Sequence, residues 1–264
     1  MPDERPLAGL TLLLTRPGQQ GHSTAGVLRA AGAIVIEMPV LEILPLSCTV
    51  DSRTLAAAYI VIFVSANAVE HGVPCLLASG GIAGGTLVAA IGQATTHALN
   101  AAGYADVVSP QQSIDSEGLL AMPQLQQALV RGQHVILVRG ISESGGRKLL
   151  EESLVARGAI VETAICYERR ARLPPREQIE SLIKMKKTNF AAMVLSVETL
   201  DSLLDALAEQ AALLKSAWLL VPHARVACAA GARGFLHVAE IGMAADSMIA
   251  ELIQLKVRIC APSA

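Results

Sequence analysis

A doubly wound parallel α/β architecture, built twice, is what this sequence predicts, and three observations carry the prediction. Short, continuous apolar runs recur along the whole chain. Between them lie segments with helical spacing of apolar residues, entered through polar, glycine-containing turns. Laid against itself, the chain repeats at two constant offsets.

The elements follow in order. "LTLLLTR" (10–16) reads as a buried strand, and a polar turn then leads into a helix over about 19–31. Gly32 stops that helix, because a glycine just past a helix end adopts the left-handed conformation without steric cost. "AIVIEM" is the next strand, followed by "YIVIFVS" (59–65), "LVAAIG" (87–92), "HVILVRG" (134–140), "FAAMVLS" (190–196) and "WLLVP" (218–222). Each is apolar on both faces, as in a parallel strand covered by helices on each side. The clearest helix is 198–214, with Leu200, Leu203, Leu204, Leu207, Ala211 and Leu214 at helical spacing. Alternating strand and helix units imply flavodoxin-like doubly wound sheets.

The repeats show a duplication. "GAIVIEMPVL" (32–41) and "GAIVETAICY" (158–167) match at an offset of 126. "YIVIFVSANAV" and "LVAAIGQATTHALNAAGY" match "FAAMVLSVETL" and "WLLVPHARVACAAGARGF" at 131, which sets Ser65 against Ser196 and Gly103 against Gly234. "IDSEGLL" and "AADSMIA" continue that register. The segments after each GAIV are extended, charged and flanked by proline, so they suit strands that cross between domains. One organisation has a first domain of 1–37 plus 172–264, a second of 44–162, and linker strands 38–43 and 163–171. Simple tandem domains are the other.

Composition bounds the function. Hydrophobic residues make up 52% of the chain and aromatics only 3%, so Ala, Val, Leu and Ile must build the core. The longest apolar run, 56–64, falls far short of the roughly 20 residues that span a bilayer. The charged N-terminus has no apolar signal core, and a soluble cytoplasmic protein is expected. Five cysteines without a C-x-x-C pair read as small apolar residues, neither disulfide framework nor zinc site. Six histidines form no metal-binding spacing. A net charge of −2 with both signs dispersed excludes a nucleic-acid partner, and no sustained heptad calls for a second copy, so a monomer is expected. "RGISESGGRKLL" (139–150) fails as a phosphate-binding loop, since lysine and hydroxyl are missing from their places, and "GGIAGG" (80–85) reads as a flexible loop.

The ordered set T-R-P, "FVSANAV", "AAIGQATTHALNAAG", "LVRGISESGGRKLLEESLVARGA" and "CYERR" resembles bacterial uroporphyrinogen-III synthases over nearly the whole chain. The resemblance implies two similar α/β domains joined by a two-stranded ladder, which favours the interrupted arrangement, with the active site in the cleft between them. It implies a lyase of haem biosynthesis that needs no cofactor. Such an enzyme closes the linear tetrapyrrole hydroxymethylbilane with loss of water and inversion of ring D. A non-catalytic two-lobed protein clamping an anionic metabolite is the alternative.

The same resemblance marks the site. Tyr167 matches the family's linker tyrosine and is the catalytic candidate. Its phenol, with an ordinary pKa of about 10, stays protonated at neutral pH and can donate to a departing hydroxyl. The plainer alternative is a half-buried strand tyrosine with its tip in water. Thr95 falls on a cleft-lining threonine position, with helix capping as its alternative. In the second half the register puts Val226 there, behind His223 and Arg225, so His223 is the substitute donor to weigh. Ser65 and Ser196 end strands and open helices, and capping is the favoured account of both. Arg16, Arg139, Gly146 and Arg147 sit at strand ends or in the glycine-rich turn and are candidates to face substrate carboxylates, against the alternative of solvated loop residues. Arg169, Arg170, Arg172 and Arg176 read as a solvated face.

Overall fold

The computed structural model describes residues 5–47, 50–110, 116–142, 149–184 and 189–260. Gly146 and Arg147 lie outside them. The chain divides into two compact units, residues 1–42 with 170–264 and residues 43–169.

The first unit begins with β1 (Thr11–Leu14), α1 (Gly18–Ala30) and β2 (Ile34–Glu37), and the chain leaves it within β3 (Leu41–Pro45). The second unit follows: α2 (Ser52–Ala56), β4 (Ala58–Phe63), α3 (Ala66–Ala78), β5 (Leu87–Ala90), α4 (Gln93–Ala101), β6 (Val107–Val108), α5 (Ser116–Ala121), α6 (Gln127–Val130), β7 (His134–Ser142) and α7 (Leu149–Ala156). The long β8 (Ile160–Ala171) carries the chain back into the first unit. That unit is completed by α8 (Arg176–Lys184), β9 (Phe190–Met193), α9 (Val197–Leu207), α10 (Ala211–Lys215), β10 (Trp218–Val221), α11 (Ala224–Ala232), β11 (His237–Glu240) and α12 (Ala245–Ile259).

The first unit's sheet runs β11-β10-β9-β1-β2, with all four pairings parallel. The second sheet runs β3-β8-β7-β4-β5-β6, parallel from β8 to β6. The two are one arrangement with different chain starts. Leu14 pairs with Met193 where Leu137 pairs with Ile62, and Leu220 pairs with Ala239 where Ala89 pairs with Val108. In both, helices cover the two faces of a sheet whose central strands are fully buried. Gly32 and Gly158, at φ +94° and +86°, turn the chain from helix into strand at equivalent points.

Three expectations need correction. β2 lies at the sheet edge, and Ile34 is 58% exposed instead of buried on both faces. The helix expected over 198–214 breaks at Ala208, whose φ of +45° ends α9, and α10 restarts at Ala211. Leu214 still reaches the core formed by Leu200, Leu203 and Leu207, so burial is kept while the helix is not continuous. Cys166, Cys228 and Cys260 are free thiols as expected, whereas Cys75 is disulfide-bonded. Among the described residues no helix is long and apolar enough to cross a membrane.

Candidate functional site

In the second unit β4 and β7 are neighbours, and the crossovers from them run to opposite sides, β4 to β5 and β7 to β8. Such a switch point is where open α/β sheets receive ligands, beyond the carboxyl ends of the strands. Here Ser65 follows β4 and Arg139 and Gly140 lie late in β7.

Tyr167 reaches this point because β8 is irregular. Arg139 pairs with Ile165, but Gly140 pairs with Tyr167, so Cys166 is an extra residue on the β8 side. Strict alternation would put Tyr167 on the same face as Ile165. The bulge turns it inward instead, and consecutive residues Cys166 and Tyr167 are both fully buried. The half-buried tyrosine with its tip in water is therefore not what forms. The ring lies on Gly140, where a Cβ would stand 2.2 Å from Cε2. His71 packs at 5.6 Å between ring centroids, and the Arg169 guanidinium carbon lies 6.0 Å from the Tyr167 ring centre. Burial pushes the neighbouring Cys166 thiol up to about 11, so it is neutral at physiological pH.

The Tyr167 hydroxyl meets Ser65 Oγ at 3.1 Å. Ser65 is also the N-cap of α3, accepting a hydrogen bond from Ala68 N–H at 3.0 Å. When Tyr167 O–H donates to Ser65 Oγ as well, both lone pairs of that oxygen are used and the serine proton is left to point outward. Ser65 is half-buried, so it is the solvent-side member of a two-hydroxyl relay.

Ser196 repeats the cap in the first unit, accepting from Thr199 N–H at 3.1 Å and meeting Thr199 Oγ1 at 2.9 Å. Among the described residues no tyrosine joins it, and the hydroxyl pair with a tyrosine is seen in the second unit. Thr95 is buried but does not cap α4; Gly92 holds that position, and Thr95 N–H bonds to the Gly92 carbonyl at 3.0 Å. His223 is the N-cap residue of α11, exposed and without a side-chain cap bond, and Val226, the counterpart of Thr95, is buried in the core. Arg16 follows β1 and bonds to Gln20 Oε1. Arg139 lies 3.9 Å from Glu151. Thus Tyr167, Ser65 and Arg139 share the second unit's switch point, Thr95 sits in the next helix of that unit, and Arg16, Ser196 and His223 belong to the first unit. The sequence gives no sign of Gly140's role as the floor beneath Tyr167, since the bulge that creates it has no residue signature. Among the described residues, no group of three or more His, Cys, Asp or Glu is placed to hold a metal ion.

Comparisons with known proteins agree on one family. A family model described as "Uroporphyrinogen-III synthase HemD" matches residues 22–250. A uroporphyrinogen-III synthase of Synechococcus elongatus is 36% identical over 205 residues, covering 70% of this chain and 70% of that one. One from Salmonella typhimurium is 33% identical over 168 residues, covering 62% and 66%. A crystal structure of a mutant Thermus thermophilus uroporphyrinogen III synthase superposes with a TM-score of 0.60 at 18% identity, over 95% of this chain and 98% of that one. The Helicobacter pylori structure gives 0.60 at 12% identity, over 93% and 99%. At these identities the two structures speak to the fold.

Proposed function

The chain belongs to the uroporphyrinogen-III synthase family, and from that premise we infer how its residues perform the family's reaction. The substrate is hydroxymethylbilane, closed with loss of water and inversion of ring D to uroporphyrinogen III. A non-catalytic clamp is set aside, because the family is one of enzymes.

The chemistry asks for two things. The terminal hydroxyl must leave, and a proton delivered to it lowers that barrier. The substituted α-carbon of ring D must then meet the activated carbon on ring A, which is a matter of holding a flexible chain in one conformation. The single observation that carries the assignment of the site is the buried Tyr167 hydroxyl on Ser65 at the β4/β7 switch point. Ser65 Oγ–H donates to the leaving hydroxyl, and the Tyr167 O–H donated behind it holds the serine in that orientation and offsets charge developing on its oxygen. Tyr167 acts through Ser65 and does not itself touch substrate, since its ring is fully enclosed. Thr95, Ser196, His223 and the two strand-end arginines, Arg16 and Arg139, are assigned to positioning the substrate. The protein acts as a monomer without cofactor.

The expected outcome in an assay is direct. Protein dialysed against a chelator should consume freshly generated hydroxymethylbilane well above its spontaneous rate. A rate equal to that of buffer alone would remove the proposal.

A further inference from the structure

One methionine stands apart from the others. Among the described residues Met38, Met122, Met193 and Met248 are 9% exposed or less, whereas Met243 is 37% exposed. Peroxides oxidise thioethers to sulfoxides, and access to the sulfur decides which of them react. Met243 is also held in place. It sits in the turn between β11 and α12, where Ile241 N–H bonds to the Val221 carbonyl at 2.9 Å and Gly242 N–H to Glu251 Oε2 at 2.8 Å. On the other side of it Ser247 Oγ–H bonds to the Ala244 carbonyl at 3.0 Å. The braced turn presents the thioether as a fixed feature of the surface.

What Met243 lines gives its oxidation a consequence. In the first unit it shares a hollow with Arg16, Thr24, Met193, Leu195 and Met248. A thioether sulfur is a weak acceptor, so the unmodified side chain offers a guanidinium little. Arg16 is half-buried, and its one bond among the described residues is to the neutral amide of Gln20. Burial lowers its pKa, because desolvation disfavours the charged form. A sulfoxide oxygen in the same hollow is a polar acceptor, and a hydrogen bond from a charged donor is stronger than one between neutral groups.

We propose that Met243 is a site of reversible oxidation and that Arg16 captures its sulfoxide. The step balances. A hydroperoxide transfers one oxygen atom to the sulfur, which loses two electrons, and the peroxide is reduced to water or an alcohol. Arg16 N–H groups then donate to the new oxygen. Met193 and Met248 line the same hollow but are buried, so the modification stops at one residue. The effect on activity rests on the synthase reading: an Arg16 engaged by the sulfoxide is withdrawn from the substrate, and methionine sulfoxide reductase with a dithiol returns it.

The test follows the modification, the capture and the activity separately. The full chain is treated with dilute hydrogen peroxide and its peptides are mapped by mass spectrometry. Met243 should gain one oxygen about 10-fold faster than Met38, Met122, Met193 or Met248. Melting temperatures before and after treatment are then compared in the parent, Arg16→Leu and Arg16→Lys. Treatment should lower the melting temperature about 2–4 °C more in Arg16→Leu, which has no donor for the sulfoxide, than in the parent, with Arg16→Lys between them. Met243→Leu keeps every cysteine, so its response to peroxide isolates thiol oxidation and is subtracted. With active substrate, treatment should raise KM about 10-fold in the parent, leave it unchanged in Met243→Leu, and be reversed by the reductase. Oxidation of Met243 no faster than that of the buried methionines, or an equal shift in the parent and Arg16→Leu, overturns the proposal. A larger shift in Arg16→Leu with KM unmoved upholds the capture and removes Arg16 from substrate positioning instead. The mapping and the melting need no substrate, so failure of the synthase reading leaves both intact.

Discussion

Gly140→Ala is expected to cost about 3 kcal/mol of stability and to abolish turnover. An added Cβ would stand 2.2, 2.4 and 2.6 Å from Cε2, Cζ and Cδ2 of Tyr167. These are atoms of a rigid ring that is wholly buried, so it has no empty space to swing into. Relief requires either lifting β7 off its partners or expelling the ring from the core that includes Phe63, Val138, Ala164 and Cys166. Urea unfolding should show a lower midpoint with an unchanged slope, the mark of lost stability without a change in the surface exposed. A midpoint matching the parent's would mean that the ring does not rest on this glycine.

Tyr167→Phe separates chemistry from packing. The ring stays on Gly140 and beside His71, so the fold should lose only about 1 kcal/mol, the net worth of one hydroxyl–hydroxyl bond. Ser65 keeps Ala68 N–H and continues to cap α3. What disappears is the donor behind Ser65 Oγ, and kcat should fall about 100-fold, the lower range of a lost general-acid contribution, with KM nearly unchanged. Ser65→Ala should match that fall in kcat and add the cost of a lost cap, about 1 kcal/mol. Activity of Tyr167→Phe within twofold of the parent would remove the relay.

Much of the fold is legible in the sequence because a parallel strand covered on both faces must be apolar on both faces, as at Val61–Phe63 and Leu219–Val221. The duplication is legible for a related reason: Gly32 and Gly158 occupy left-handed conformations that few other residues tolerate, and each marks the same turn. The edge strands β6 and β11 do not stand out in the sequence. β6 is two residues long, and β11 reads "HVAE", half-exposed, so neither makes an apolar run. The break at Ala208 also had no residue signal, since leucines on both sides keep helical spacing across it.

The site divides in the same way. Ser65 and Ser196 are legible as caps because a short hydroxyl at a strand-to-helix junction has one dominant use. The burial of Tyr167 is not legible, because it follows from one extra residue, Cys166, against the β7 partner. Thr95 looked like a cap by residue type, but Gly92 three positions earlier takes that place, and threonine is left to the helix interior. The equivalence of Arg16 and Arg139 is legible, because each ends the apolar strand that opens its repeat, and the strand registers agree with it at an offset of 123 between Thr11 and His134.

The most direct measurement of the account as a whole is the isomer composition of the product. Hydroxymethylbilane should be generated in the presence of excess protein, and the cyclised products oxidised to porphyrins and separated. The account predicts that the type III isomer predominates and that its share rises with protein concentration. A mixture that remains the type I isomer with folded protein in excess would contradict it.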